Sequence, residues 1–168
     1  AHAGTVSGGP NFAYDLCVHK VSEEQREGLD LSSWEVAYTG AEPVRSGTVS
    51  AFVKAYAPHG LRASSIFPCY GMAESTLFIT GVMQGDGAHR VDLDRERLSV
   101  GDQVSPRAPG AGDAVPFIGC GTALADTQVA IVHPDTRRRL PDASIRELRV
   151  RGPSVAQGYL ENPQLSQA

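Results

Sequence analysis

The chain has 168 residues, the length of one domain or of a piece of a larger one. Its 41% hydrophobic and 20% charged residues and its net charge of −4 are ordinary for a globular chain. They leave no basic footprint for nucleic acid, and no apolar run is long enough to span a bilayer, so neither partner is expected.

Ala1 rather than methionine opens the chain and no signal peptide is visible, which points to a segment excised from a longer protein. Cys17, Cys69 and Cys120 are widely spaced and form no C-x-x-C pair. That is a cytoplasmic pattern of free thiols, not a disulfide framework or a zinc site. The histidines His2, His19, His59, His89 and His133 show no metal-ligand spacing and are read as surface or structural residues.

In chain order, Asn11 is placed to cap a helix reaching about Val21, with Phe12, Leu16 and Cys17 on one face. Ser22 and Gln25 have capping-box spacing and start a short second helix that Gly28 breaks. Val36 and Tyr38 lie in a short strand ending at Gly40. Val49, Phe52, Val53 and Tyr56 follow the i, i+3, i+4, i+7 rule of an amphipathic helix, and Gly60 suits its C-terminus. Ser65-Ile66-Phe67 reads as a strand closed by Pro68. Strand, helix, strand over about thirty residues is a βαβ unit with a parallel pair. Thr76 to Ile79 continues as a short apolar helix or strand.

Residues 81–116 are polar, rich in Gly, Pro and Asp, and carry no sustained period, with Gly110-Ala111-Gly112-Asp113 as a flexible tip. A loop of this length is unusual in a compact domain and reads as an insertion. Val91, Leu93, Leu98 and Val100 supply apolar residues for part of it to pack. Beyond Pro116 the texture is β, with strands expected at 128–132, 147–151 and 155–160. Arg137-Arg138-Arg139 sits between turn signals and reads as a solvated hairpin turn.

Two motifs carry chemistry. Gly40-Ala41-Glu42-Pro43 follows the first strand of the βαβ unit, and Tyr70-Gly71-Met72-Ala73-Glu74 follows the second. Both therefore fall at the carboxyl ends of parallel strands, where open α/β sheets bind ligands. An aromatic face suits a nucleotide base, a glycine permits close backbone approach, and a carboxylate is a natural ligand for Mg2+. Taken singly, Gly40-Ala41-Glu42-Pro43 is also an ordinary strand-exit turn, Glu74 an ordinary first-turn helix glutamate and Tyr70 a core tyrosine. Their joint placement favours the nucleotide site. Ser7-Gly8-Gly9-Pro10 lacks the Lys and Thr of a phosphate loop, and Gly119-Cys120-Gly121 lacks the rest of a dinucleotide fingerprint.

Four blocks, in order over nearly the whole chain, resemble the adenylate-forming superfamily, and within it the fatty acyl-AMP ligases. They are Ser7 to Cys17, Leu31 to Arg45, Phe67 to Leu77, and Arg151 to Leu160. The subclass rests on Ala73, where acyl-CoA synthetases and amino-acid adenylating domains usually carry Thr or Ser, and on the extended segment after Leu77, where the ligases carry an insertion thought to hinder the CoA half-reaction.

The resemblance implies an α/β fold: the βαβ portion of an adenylate-forming large domain in residues 1–80, an insertion in 81–116, and part of an antiparallel β-barrel subdomain in 117–168. It implies ATP-dependent activation of a fatty acid and transfer of the acyl group to an acyl carrier protein, for polyketide or lipopeptide synthesis. Gly40, Ala41, Glu42 and Pro43 would border the adenine and Tyr70 would lie against it. Gly71, Met72 and Ala73 would pass the acyl-phosphate junction, and Glu74 would hold Mg2+ as the catalytic metal ligand. Gly8, Gly9 and Phe12 would border the acyl tunnel. The family's phosphate loop would lie before Ala1 and its catalytic lysine after Ala168, so the chain alone is expected to be inactive. An acyl-CoA synthetase and a non-catalytic α/β binding module are the alternatives.

Overall fold

The computed structural model describes residues 3–101, 103–124 and 126–166. Its principal sheet has five strands in the order β1-β2-β3-β4-β7. These are β1 (Val6–Gly8), β2 (Val36–Thr39), β3 (Ile66–Met72), β4 (Leu77–Gly81) and β7 (Thr122–Ala123). The first three are parallel, with Ala37 opposite Ile66 and Thr39 opposite Pro68. The last three are antiparallel.

The βαβ unit expected from the apolar spacing is present. Helix α3 (Ser46–Tyr56) crosses from β2 to β3 and ends through a 3-10 turn at Gly60, whose φ of 88° is the left-handed geometry that favours glycine. Helix α1 (Asn11–Lys20) packs beside α3, and the short α2 (Glu23–Arg26) carries the reciprocal Ser22–Gln25 capping box. The core lies between these helices and the sheet. Phe52, only 2% exposed, meets the Tyr14 ring edge-on at 4.7 Å and lies 4.7 Å from Tyr56. Ala37, Leu61 and Ile66 complete the cluster. Arg26 stacks on Tyr56 at 4.9 Å and donates to the Val18 and Val21 carbonyls, which is how a guanidinium is accommodated there.

Three expectations are corrected. Asn11 is not the cap; Pro10 holds that position and Asn11 is the first helical residue. Pro68 does not close β3, which runs on to Met72. Its missing N–H costs nothing because the ladder to β4 ends beside it, with Val82 N donating to the Pro68 carbonyl at 3.4 Å. Residues 155–160 form no strand, because the Ala156 N–H turns aside to the Glu74 carbonyl at 2.7 Å.

Residues 81–116 are also more ordered than their composition indicates. Strands β5 (Arg90–Asp94) and β6 (Ala114–Ile118) pair antiparallel, and the alternation of β5 is inverted. Asp92 and Asp94 are the buried residues of β5, whereas Val91 and Val100 are 39% and 78% exposed. Each carboxylate is neutralised by an arginine: Arg90 grips Asp92 with two bonds of 2.7 and 2.5 Å, and Arg107 reaches Asp94 at 2.6 Å. Strands β8 (Gln128–Val132) and β9 (Glu147–Arg151) form a further antiparallel pair. No closed barrel forms among the described residues.

The Asp92–Arg90 pair makes stability pH-dependent. Its hydrogen bonds from Arg90 hold the Asp92 carboxyl below the usual carboxylate range. The contribution is present above the ordinary carboxylate pKa and is lost as pH falls through the depressed one. Between about pH 6 and pH 2, the wild-type melting temperature is expected to fall more than that of Asp92→Asn. Parallel melting curves would show the pair to be inconsequential.

Candidate nucleotide cleft

The two glycine-bearing motifs converge. Gly40 and Ala41 leave the end of β2, and Tyr70, Gly71 and Met72 form the end of β3. Together with Ala73, Leu77 and Phe78 they line an open cleft of about 640 Å3, joined by Gly9 and Pro10 from the entry to α1. Its size lies within the ordinary range for small-molecule sites. Phe67 and Phe78 stack at 6.3 Å along its wall, over Gly81, where a Cβ would come within 2.6 Å of the Phe78 ring. None of the lining residues is charged. The walls can thus hold a flat ring or an apolar tail, but cannot by themselves neutralise an anion.

The motif at β3 is a hairpin rather than a strand followed by a helix. After Met72 the chain makes one 3-10 turn, Ala73–Ser75, and returns as β4. A register shift falls between Tyr70 and Gly71, and Gly71 pairs with Phe78. A Cβ on Gly71 would overlap the Leu77 carbonyl oxygen. Gly40 is constrained in the same way, since a Cβ there would lie 2.7 Å from the Cys69 carbonyl oxygen. Ala41 adopts a φ of 66°, a strained conformation for a residue with a side chain.

The β2 exit turn is tied to α1 by a residue whose part was not legible. Asn11 is 1% exposed. Its Nδ2 donates to the Pro43 carbonyl and its Oδ1 accepts from Arg45 N–H, both at 2.9 Å. Its own N–H donates to Glu42 Oε1 at 2.9 Å, so the Glu42 carboxylate meets the N-terminus of α1. Glu42 and Pro43 accordingly brace the turn and do not line the cleft. The only sequence sign was an Asn at the helix start, which ordinarily reads as a cap.

Glu74 stands exposed on the turn between the lining residues Ala73 and Leu77, and no hydrogen bond or ion pair engages its carboxylate among the described residues. Cys69 lines the cleft, but burial, and secondarily the Cys120 thiol, push its pKa up, which keeps it a neutral and unreactive thiol near pH 7. Gly8 and Gly9 border a second, smaller cavity of about 200 Å3 with Tyr14, Trp34 and Phe52. Phe12 joins neither cavity; it is 63% exposed on α1.

The profile of the AMP-binding enzyme family matches residues 1–160. The chain belongs to that family. It is 39% identical over 164 residues to a medium-chain fatty-acid–acyl-carrier-protein ligase of Teredinibacter turnerae, covering 98% of this chain and 25% of that protein. The crystal structure of a fatty acid AMP ligase from Legionella pneumophila superposes with a TM-score of 0.92 at 37% identity, over 99% of this chain and 28% of that one. A fatty acyl-adenylate ligase from L. pneumophila, in complex with acyl adenylate and pyrophosphate, gives a TM-score of 0.90 at 38% identity, over 98% and 28%. The chain thus spans about a quarter of the length of the curated relative it matches. The fold assignment as an α/β portion of an adenylate-forming domain stands on these likenesses. Among the described residues, no helix is long and apolar enough to cross a membrane.

Proposed function

We propose that this chain forms the adenylate-side cleft of a fatty acyl-AMP ligase, a cytoplasmic enzyme that activates a fatty acid with ATP and passes the acyl group to an acyl carrier protein. The observation that carries the reading is the meeting of the Gly40 and Tyr70 motifs in one uncharged cleft at the carboxyl ends of β2 and β3. The fatty carboxylate attacks the α-phosphorus of ATP. A carboxyl oxygen–phosphorus bond forms, and the bond from that phosphorus to the pyrophosphate oxygen breaks. The Tyr70 ring lies against the adenine, beside Gly40 and Ala41. The Gly71–Ala73 backbone runs along the acyl-phosphate junction, and Gly71 allows that approach because it has no side chain. Ala73 has no side-chain donor, so a backbone N–H or water serves the phosphate there.

Glu74 fits a Mg2+ site of the kind completed by substrate phosphates, since its carboxylate is exposed beside an otherwise uncharged cleft. When bound, the ion supplies the positive charge that these walls lack. Glu74, an exposed carboxylate next to the lining residue Ala73, would hold it at the rim. Residues 1–80 then make the nucleotide portion, 81–116 an insertion and 117–168 the beginning of a β subdomain. Held together internally by the Asp92–Arg90 and Asp94–Arg107 pairs, the insertion disfavours the rearrangement needed for thioester formation with CoA, and the product serves polyketide or lipopeptide synthesis. Gly8 and Gly9 border the acyl tunnel, whereas Phe12, exposed outside both cavities, takes no part in it.

The test uses the intact protein with a medium-chain fatty acid and Mg-ATP, scoring acyl adenylate by mass spectrometry and transfer to CoA or to carrier phosphopantetheine. Adenylate formation with transfer to the carrier is expected. Efficient acyl-CoA formation would make this an acyl-CoA synthetase, and binding without adenylation would leave a non-catalytic module.

A further inference from the structure

Thr76 occupies a backbone conformation that its own side chain disfavours. Its φ is 66°, in the left-handed region, where a β-branched residue is an outlier. Glycine or asparagine would sit there with less strain. The hydroxyl gives threonine a use that glycine lacks. Oγ1 donates to the carbonyl of Ser154 at 2.9 Å, across 78 positions of sequence. Two residues further on, Ala156 N–H donates to the Glu74 carbonyl at 2.7 Å. The 3-10 turn carrying Glu74 is thereby held to residues 154–156 at its middle and at its C-terminal cap.

Within its own hairpin the turn is closed by the Met72–Leu77 pair and by Thr76 N–H donating to the Ala73 carbonyl at 3.0 Å. Ser75 is 1% exposed and its hydroxyl has no hydrogen-bond partner among the described residues. The Glu74 carboxylate is likewise unengaged. Burial of Ser75 fixes how deep the turn sits, while the bonds to 154–156 fix its lateral position relative to the cleft. Strain concentrated beside a binding cleft persists only where surrounding contacts enforce it, and here the enforcing contact is identifiable.

We infer that Thr76 is a positioning residue that holds Glu74 at the cleft rim by tying its turn to the Ser154–Ala156 segment. The inference rests on the reading of Glu74 as a Mg2+ ligand. Thr76→Val is isosteric and removes only the hydroxyl. Thr76→Gly also removes the hydroxyl but relieves the φ strain, and so guards against a fold defect. Thr76→Ser keeps the hydroxyl.

The experiment measures two quantities in the intact protein: hydrogen exchange of the Ala156 amide, and the Mg2+ concentration giving half-maximal adenylation. Val and Gly variants are expected to exchange faster at Ala156 and to need roughly five-fold more Mg2+, the equivalent of one lost net hydrogen bond. The Ser variant restores both, and the Gly variant melts no lower than wild type. Wild-type exchange and Mg2+ dependence in the Val and Gly variants would overturn the inference, as would a Ser variant that behaves like Val. An unimpaired Glu74→Gln variant overturns the metal reading instead, and with it this role for Thr76, whereas an impaired one beside unaffected Thr76 variants overturns the role of Thr76 alone.

Discussion

Gly71→Ala in the intact protein is expected to lower adenylation about 100-fold, because displacement of reacting groups by about 1 Å has that consequence. The added Cβ would overlap the Leu77 carbonyl oxygen and lie 3.2 Å from Phe78 Cα. All of these are backbone atoms, so no side chain can swing away. Gly71 pairs with Phe78 and Met72 with Leu77, and all four residues line the cleft. Separating β3 from β4 at this point moves the cleft wall itself. Gly112→Ala is the control, since nothing lies within 4 Å of the Cβ it would add. Pyrophosphate release, measured beside the melting temperature, separates misplacement from unfolding. A Gly71→Ala variant with the wild-type rate would show that the wall does not contact the reacting groups.

Glu74→Gln is expected to reduce adenylation about ten-fold or more, because metal-assisted charge stabilisation is worth several kcal/mol. The substitution keeps the shape and removes the charge. Glu74 is exposed, and its carboxylate forms no ion pair among the described residues, so the folded state loses little. The deficit should be largest at limiting Mg2+ and should shrink as the ion is raised. Equal rates for the variant and wild type at limiting Mg2+ would make Glu74 an ordinary surface residue of a 3-10 turn.

The βαβ unit was legible because Val49, Phe52, Val53 and Tyr56 repeat at helical spacing against the buried strand residues Ala37 and Ile66. The convergence of the Gly40 and Tyr70 motifs followed from that unit, since parallel strands place their carboxyl ends together. The hairpin at Gly71 was hidden by Pro68, a residue that ordinarily ends a central strand but here sits where the β4 ladder has already stopped. The order in 81–116 was hidden because its strand buries aspartates, and a periodicity search looks for apolar residues. The arginines that make this burial tolerable are Arg90, two residues away, and Arg107, thirteen away. The brace from Asn11 to Glu42, Pro43 and Arg45 spans more than thirty residues and leaves no local pattern.

The most direct test of the central claim is a crystal structure of the intact protein with a hydrolysis-resistant acyl-adenylate mimic, such as an acyl sulfamoyl adenosine. The account predicts adenine against the Tyr70 ring beside Gly40 and Ala41, with the sulfamate along the Gly71–Ala73 backbone and Glu74 facing it from the rim. Adenine bound away from this cleft, or a mimic whose sulfamate lies far from Gly71 to Glu74, would contradict it.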